Sequence, residues 1–518
     1  MLAVSGGLLA ALPWWGAPSV LLLICFVPLL FIEEELQKEG GHLFSVLPVS
    51  FIFFFSWNLA VTWWIARIHF IGGMSVIILN AAIMSLVFML YAAIKKGTGA
   101  GAAVFVILWA GFEFLHHRGD LSWPWLSLGN GLAGDIRMVQ WYEYTGMAGG
   151  TIWVLLVNVM LFELIKHGHR YIRFRSLVIR SALFLFILVV PPSVSLYMYN
   201  SYKPNDNPVS FLVLQPVMDP YGDKFSGNSR RLDQLLFMAE SNMHMEPDYI
   251  VAPETSVDSI WITDGDNEII FRMGEFMERY PGTGMVIGAT TFSKVSRHEK
   301  SVTTRVDAQG RFYEVQNSAL YFDSGKLSGV YHKHYLANGV EQVPFQEILG
   351  LPGRLSLDMG GVSGSMKPGS GPEVFRSQLN DDAPVLGTLI CFESSYGEYA
   401  AGMVRKGAEL IIVISNDGWF KNTGAYRQHL RLSRLRAIET RRDVVRSANT
   451  GISAHISSRG DIAGSLGWWE EGALFIRPSL NSKVTFYART GDFLGRTAVF
   501  FSLLMVLNLA AKKFLIRK

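Results

Sequence analysis

The chain's 518 residues are 50% hydrophobic and 13% aromatic but only 17% charged, with a mean hydropathy of +0.26. This is too apolar for an ordinary soluble protein and points to membrane embedding. The net charge of +3 is too small for a dominant nucleic-acid footprint. Of the two cysteines, Cys25 lies in an apolar run and Cys391 in a mixed polar region. A bilayer-buried and a water-facing residue are poorly placed to come within bridging distance, so Cys391 is expected to be a free thiol.

A bilayer core takes about 20 mostly apolar residues per helix. In chain order the candidates are Pro18 to Ile32, Leu43 to Ile65, Met74 to Ile94, Ala100 to Leu115, Thr151 to Ile165, Ala182 to Tyr197 and Thr497 to Ala511. Met1 to Leu12 is a short eighth, without the basic start and cleavage site of a signal peptide. Basic clusters at Lys95-Lys96, Lys166 to Arg180 and Lys512 to Lys518 then share one side, which the positive-inside rule makes the cytoplasm. The expectation is a helical bundle over 1–200, an external α/β domain over 201–494, and a last helix with a basic tail over 495–518.

Within the external stretch, Ser210 to Leu214, Tyr249 to Val251, Met285 to Gly288, Val385 to Ile390 and Leu410 to Ile414 read as buried strands. Ser229 to Ser241 and Gln428 to Arg441 carry helical patterns, and the Gly/Ser-rich Gly353 to Gly371 reads as a mobile loop.

Three reactive residues each follow a strand-like run: Glu254 in Val-Ala-Pro-Glu-Thr, Lys333 in Tyr-His-Lys-His, and Cys391 in Leu-Ile-Cys-Phe-Glu. Strand ends are where ligands gather in α/β folds, so these side chains are expected to converge. Together they make an acyl-transfer set. Cys391 attacks a carbonyl and holds the acyl group, Glu254 carries the protons, and Lys333 stabilises the oxyanion with the Phe392 N–H and lowers the thiol pKa.

At these residues the sequence resembles the nitrilase superfamily, and over a wider span it resembles the apolipoprotein N-acyltransferase family. Glu341 stands eight residues after Lys333, and Phe392-Glu393 follows the cysteine where the family has Tyr-Glu. Ser415 to Phe420, Gln428-His429, Arg436 to Glu439, Arg446, Asn449 to Ala454 and Tyr487 to Asp492 follow in the family's order. Glu113, Pro124-Trp125, Gly129, Gln140, Gly146 and Asn158 match more loosely in the apolar half. The chain departs from the family at Ala337 to Val340, where Val-Pro-Phe-Gly is usual, and at Gln215-Pro216-Val217, where Gln-Gly-Asn is usual.

The resemblance implies a multi-pass helical membrane bundle joined to an αββα nitrilase-like sandwich, set in a bacterial inner membrane with the sandwich in the periplasm. It also implies transfer of an acyl chain from a phospholipid to a diacylated apolipoprotein, without a cofactor or metal. Glu341 and Glu393 fit either active-site support or structural ion pairs, and Trp419 and Phe420 fit either a substrate gate or the core. His332 and His334 flank Lys333 without the spacing of a zinc site. Two other functions use the same features: a membrane-tethered amidase that passes the acyl group to water, and an inactive lipid-binding scaffold. The apolar residues at Leu349 to Leu351 and Trp419 favour transfer.

Overall fold

The computed structural model describes residues 1–38, 42–168, 174–222, 227–262, 267–346, 365–377, 380 and 382–516. The chain divides into two compact units, Met1–Tyr202 with Thr490–Lys518, and Lys203–Arg489.

The first unit is helical. Five of its described helices are long and apolar enough to cross a membrane: Leu43–Thr62, Phe70–Thr98, Tyr142–Lys166, Arg175–Ser201 and Phe493–Phe514. Leu2–Trp15 and Val104–His116 are shorter. Its centre is aromatic, with Phe26 packed on Phe53, Phe54, Trp57, Phe105 and Trp109.

The run from Pro18 to Ile32 is not one helix. A 3₁₀ turn over Ser19–Leu23 gives way to an α-helix over Val27–Lys38. Pro28 lacks an N–H, and backbone groups freed at the break must be satisfied inside the protein. Asn158 does this: its Oδ1 accepts the Phe26 N–H at 2.8 Å, and its Nδ2 donates to the Leu22 carbonyl at 2.7 Å. Glu113 has a similar task. Its carboxylate accepts from Trp109 Nε1, the Leu128 N–H and Thr151 Oγ1, anchoring the irregular segment around Gly129.

The basic clusters meet. Lys95 pairs with Glu33 at 2.6 Å and Glu34 at 2.9 Å, Lys166 pairs with Glu34 at 2.7 Å, and Lys512 Nζ donates to the Thr98 carbonyl.

The second unit is an αββα sandwich. One sheet holds β1 (Phe211–Gln215), β2 (Tyr249–Val251), β3 (Val257–Trp261), β4 (Gly284–Lys294), β5 (Arg305–Val306), β6 (Phe312–Asp323) and β7 (Lys326–His332). The other holds β8 (Val374–Phe375), β9 (Leu386–Ile390), β10 (Leu410–Ser415), β11 (Val444–Ala448), β12 (Ala454–Ile456) and β13 (Ile462–Ser465). Last, β14 (Gly472–Ile476) returns to the first sheet and runs antiparallel to β1.

Leu212, Leu214, Ile250, Met285, Ile287, Leu320 and Phe322 bury against Leu232, Leu235, Met273 and Phe276 of the helices Asn228–Glu240 and Glu268–Glu278. Strand periodicity turns the alternate residues toward the second sheet. Ser447 Oγ donates to the Leu214 carbonyl, and Gln215 Oε1 accepts the Ser453 N–H, tying the sheets together.

Two stability outcomes follow. Asn158→Leu leaves the Phe26 N–H without its acceptor, which costs about 1–3 kcal/mol and is expected to lower the thermal midpoint in detergent; an unchanged midpoint would show that the break needs no side chain. Val217 adopts φ +53°, a region rare for β-branched residues and favoured by asparagine. Val217→Asn, which restores the residue usual in the family, is therefore expected to raise the midpoint of the second unit's unfolding, and a fall would contradict this.

Candidate active site

Glu254, Lys333 and Cys391 stand just beyond the ends of β2, β7 and β9. Lys333 is 2% exposed. Its Nζ donates to Glu254 Oε1 at 3.1 Å and lies 3.0 and 2.9 Å from the two carboxylate oxygens of Glu341. Asn317, inside β6, donates through Nδ2 to Glu254 Oε1 at 2.8 Å and Glu341 Oε1 at 2.7 Å. Carboxylate oxygens only accept, which fixes the amide's orientation.

Backbone N–H groups complete both carboxylates: Asn416 donates to Glu254 Oε2 at 2.9 Å, and Ala337 donates to Glu341 Oε2 at 2.7 Å. The departing segment Ala337 to Val340 is thus the tight loop that seats Glu341, with Gly339 at φ +81°. Of the expected mobile loop, residues 353–364 lie outside the described residues, as do Leu349 to Leu351. Its remainder is pinned: the Met366 N–H donates to the Glu341 carbonyl and the Gly369 N–H to the Lys333 carbonyl.

Burial works against the Lys333 ammonium, but Glu254 and Glu341 overcome it and hold its pKa well above the usual lysine range. Cys391 sits on a sharp strand-to-3₁₀ turn with φ +51°, a conformation costing about 1–2 kcal/mol. Burial and the Glu254 carboxylate push its thiol up, and Lys333 lowers it without offsetting them. The lowering expected from Lys333 is present but outweighed by burial and the Glu254 carboxylate, which favour the thiol form of Cys391.

Glu393 joins the lysine loop to the cysteine turn. Its Oε1 accepts from Tyr331 Oη and the His334 and Tyr335 N–H groups, while Oε2 accepts the Ile390 N–H at 2.8 Å. Stacked rings reinforce this junction: Tyr335 on Tyr396 with centroids 3.8 Å apart, and His334 on Tyr399. His332, at the end of β7, contacts Ser318 Oγ of the neighbouring β6, and His334 contacts the Gly369 carbonyl.

Trp419 lines a small cleft beside Glu254, with Met218, Asp219, Arg231, Asn416 and Asn449. Phe420 packs edge-on to His429 instead. Neither is fully buried. Sequence reasoning missed Asn317, while Tyr331 and Asp417 stood in the motifs Tyr-His-Lys-His and Ser415 to Phe420 without a role of their own. The available signal was a polar residue inside an apolar run, as in Gln316-Asn317-Ser318 before Ala319-Leu320.

Burial lifts the Glu393 pKa to about 7 against the pull of its N–H donors, Tyr331 and Lys333. A raised carboxyl pKa means the folded state binds the proton more readily than the unfolded chain, whose reference value is about 4.3. The associated stability is full below that reference and is lost as pH rises through 7. Thermal midpoints measured from pH 4 to 8 are expected to show this declining component in the wild type and not in Glu393→Gln. Parallel profiles would refute it.

Comparison with known proteins accords with this geometry. Residues 285–482 match the carbon-nitrogen hydrolase family, and residues 5–160 match the apolipoprotein N-acyltransferase N-terminal domain. The apolipoprotein N-acyltransferase of Chlorobaculum tepidum is 27% identical over 98% of this chain and 96% of its own. That of Geobacter metallireducens is 25% identical over 95% of this chain and 91% of its own. A solved structure from Saccharomyces cerevisiae, a member of branch 10 of the nitrilase superfamily, aligns at 17% identity with a TM-score of 0.38, covering 54% of this chain and 92% of that one. With an N-terminal helical unit and a nitrilase-type sandwich joined in one chain, the protein is similar over nearly its whole length to relatives that carry the name apolipoprotein N-acyltransferase.

Proposed function

We propose that this protein moves an acyl chain from a phospholipid, through a thioester on Cys391, to the α-amino group of the diacylglyceryl-cysteine at the N-terminus of an apolipoprotein. The observation that carries the reading is the buried Glu254–Lys333 pair at the ends of β2 and β7, with Cys391 on the sharp turn at the end of β9.

In the first half, Glu254 takes the thiol proton as Sγ attacks the ester carbonyl. Lys333 and the Phe392 N–H stabilise the oxyanion. The lysophospholipid oxygen leaves with the proton from Glu254. In the second half, the acceptor amine attacks the thioester, Glu254 removes its proton, and the thiol is regenerated. Glu341 and Asn317 hold Lys333 and Glu254 in register, and Glu393 keeps the two loops together. Trp419, on the wall of the cleft beside Glu254, is assigned to meet an entering chain.

Both substrates are lipid-anchored, and extraction costs about 0.8 kcal/mol per buried CH₂, so the reaction has to occur at the bilayer. The meeting of Lys95, Lys166 and Lys512 at one end of the helical unit supports a cytoplasmic assignment for that end. The helices Arg175–Ser201 and Phe493–Phe514 reach the catalytic unit through their other ends, which supports a periplasmic catalytic unit in a bacterial inner membrane.

The test is intact-protein mass after incubation with phospholipid vesicles, then mass spectrometry of a diacylated lipopeptide acceptor. One hydroxylamine-sensitive acyl group is expected on the wild type and on Cys25→Ala, and none on Cys391→Ala. Lys333→Met is expected to load about 10²- to 10³-fold more slowly, and Glu254→Gln to load poorly. Loading that survives in Cys391→Ala, or hydrolysis of the donor without any N-acylated product, would overturn the reading.

A further inference from the structure

We propose that His429 is a positioning residue for the Phe392 N–H: by holding the Cys391 carbonyl, it fixes the peptide plane between Cys391 and Phe392. This deepens the acyl-transfer reading and rests on it for one arm of the test.

His429 is fully buried in the helix Ala425–Thr440. Its Nε2 lies 3.0 Å from the Cys391 carbonyl oxygen and 2.9 Å from Ser394 Oγ. A carbonyl only accepts, so in this contact the donor is Nε2. Ser394 Oγ donates to the same carbonyl at 2.9 Å. On the ring's other side, Nδ1 is 2.8 Å from Asp417 Oδ1. Asp417 is itself held by Ser415 Oγ at 2.6 Å and by Arg446 at 2.7 Å, and Arg446 also donates to Ser433 Oγ. The ring is therefore braced from β10 and β11, two central strands of its sheet.

The target of this brace is what gives it a chemical consequence. A trans peptide is planar, with its C=O and N–H on opposite sides. Fixing the Cys391 carbonyl against His429 points the Phe392 N–H the other way. A histidine serving only to fill the core would have no need to meet that one carbonyl.

The experiment uses the full chain in a Cys25→Ala background, which leaves one thiol. His429→Phe keeps ring volume without a donor, His429→Ala is the second donorless variant, and His429→Gln retains an N–H donor. Three rates are measured: Cys391 acylation by p-nitrophenyl acetate, Cys391 loading from phospholipid vesicles, and alkylation by iodoacetamide, which forms no oxyanion. Donorless variants are expected to acylate about 10²-fold more slowly with both acyl donors, the loss typical of one misplaced oxyanion donor. Alkylation is expected to stay within about threefold and the KM for phospholipid within about twofold, with Gln restoring at least a tenth of the acylation rate.

Wild-type acylation in a folded donorless variant, acylation and alkylation falling together, or no rescue by Gln would each overturn the proposal. If the wild type is acylated by the activated ester but not by phospholipid, the acyl-transfer reading fails, while the ester-to-alkylation ratio still decides the role of His429.

Discussion

The rest of the catalytic unit is arranged around one ammonium buried between two carboxylates. Moving Lys333 out of water is costly, and such a charge persists only where partners replace its hydration. Glu254 and Glu341 supply them within about 3 Å, but two carboxylates against one ammonium leave an excess negative charge in the interior. Asn317 answers it with both amide hydrogens, and the N–H groups of Asn416 and Ala337 answer it from two different loops. The cluster thereby dictates where β6 must place an asparagine and how the segment before Glu341 must curl. It also explains the thiol: Glu254 lies close enough to raise the Cys391 pKa along with burial.

Buried carboxylates recur here as loop staples. Glu393 gathers N–H groups from both sides of the lysine–cysteine junction, and Asp417 binds Ser415, His429 and Arg446 with no exposure of its own. Both meet the same energetic requirement and answer it differently. Asp417 faces the Arg446 guanidinium and His429, which hold its pKa below the usual carboxylate range despite burial, whereas Glu393 has mostly neutral donors and is pushed up. One is a fixed charge suited to bracing, while the other sits near the point of taking a proton.

Much of this was legible in the sequence wherever local pattern and burial coincide. The runs at Tyr249 to Val251, Leu410 to Ile414 and Val385 to Ile390 lie on β2, β10 and β9, and the Ser229 to Ser241 pattern lies on the helix Asn228–Glu240. β6 was not, because Glu314, Gln316 and Asn317 interrupt its apolar alternation. Asn317 is polar because it meets Glu254 and Glu341, 63 and 24 residues away, whereas Glu314 accepts from Ser301, Thr303 and Thr304 in the segment before β5. The break after Leu23 was equally hidden. Its flanks are continuously apolar, and the side chain that makes it tolerable, Asn158, is 132 residues distant from Phe26. Contacts of that range have no periodicity to read.

A raised thiol pKa looks like a handicap for a nucleophile, and on the proposed reading it is a smaller one than the thiolate fraction suggests. Each unit of elevation cuts the thiolate population tenfold, equivalent to about 1.4 kcal/mol. Intrinsic nucleophilicity, however, rises with pKa with a slope of about 0.4–0.5, which recovers roughly a factor of three per unit. The remainder falls to Glu254, which removes the proton as the bond forms, so that free thiolate need not accumulate. The same excess of negative charge that disfavours a resting thiolate attracts an approaching α-ammonium, which ordinarily titrates at about 7.7–8.0 and is mostly charged at neutral pH. Glu254 then serves both half-reactions from one position. A site built with a second cation instead of Glu341 would hold a readier thiolate and repel the acceptor it has to receive.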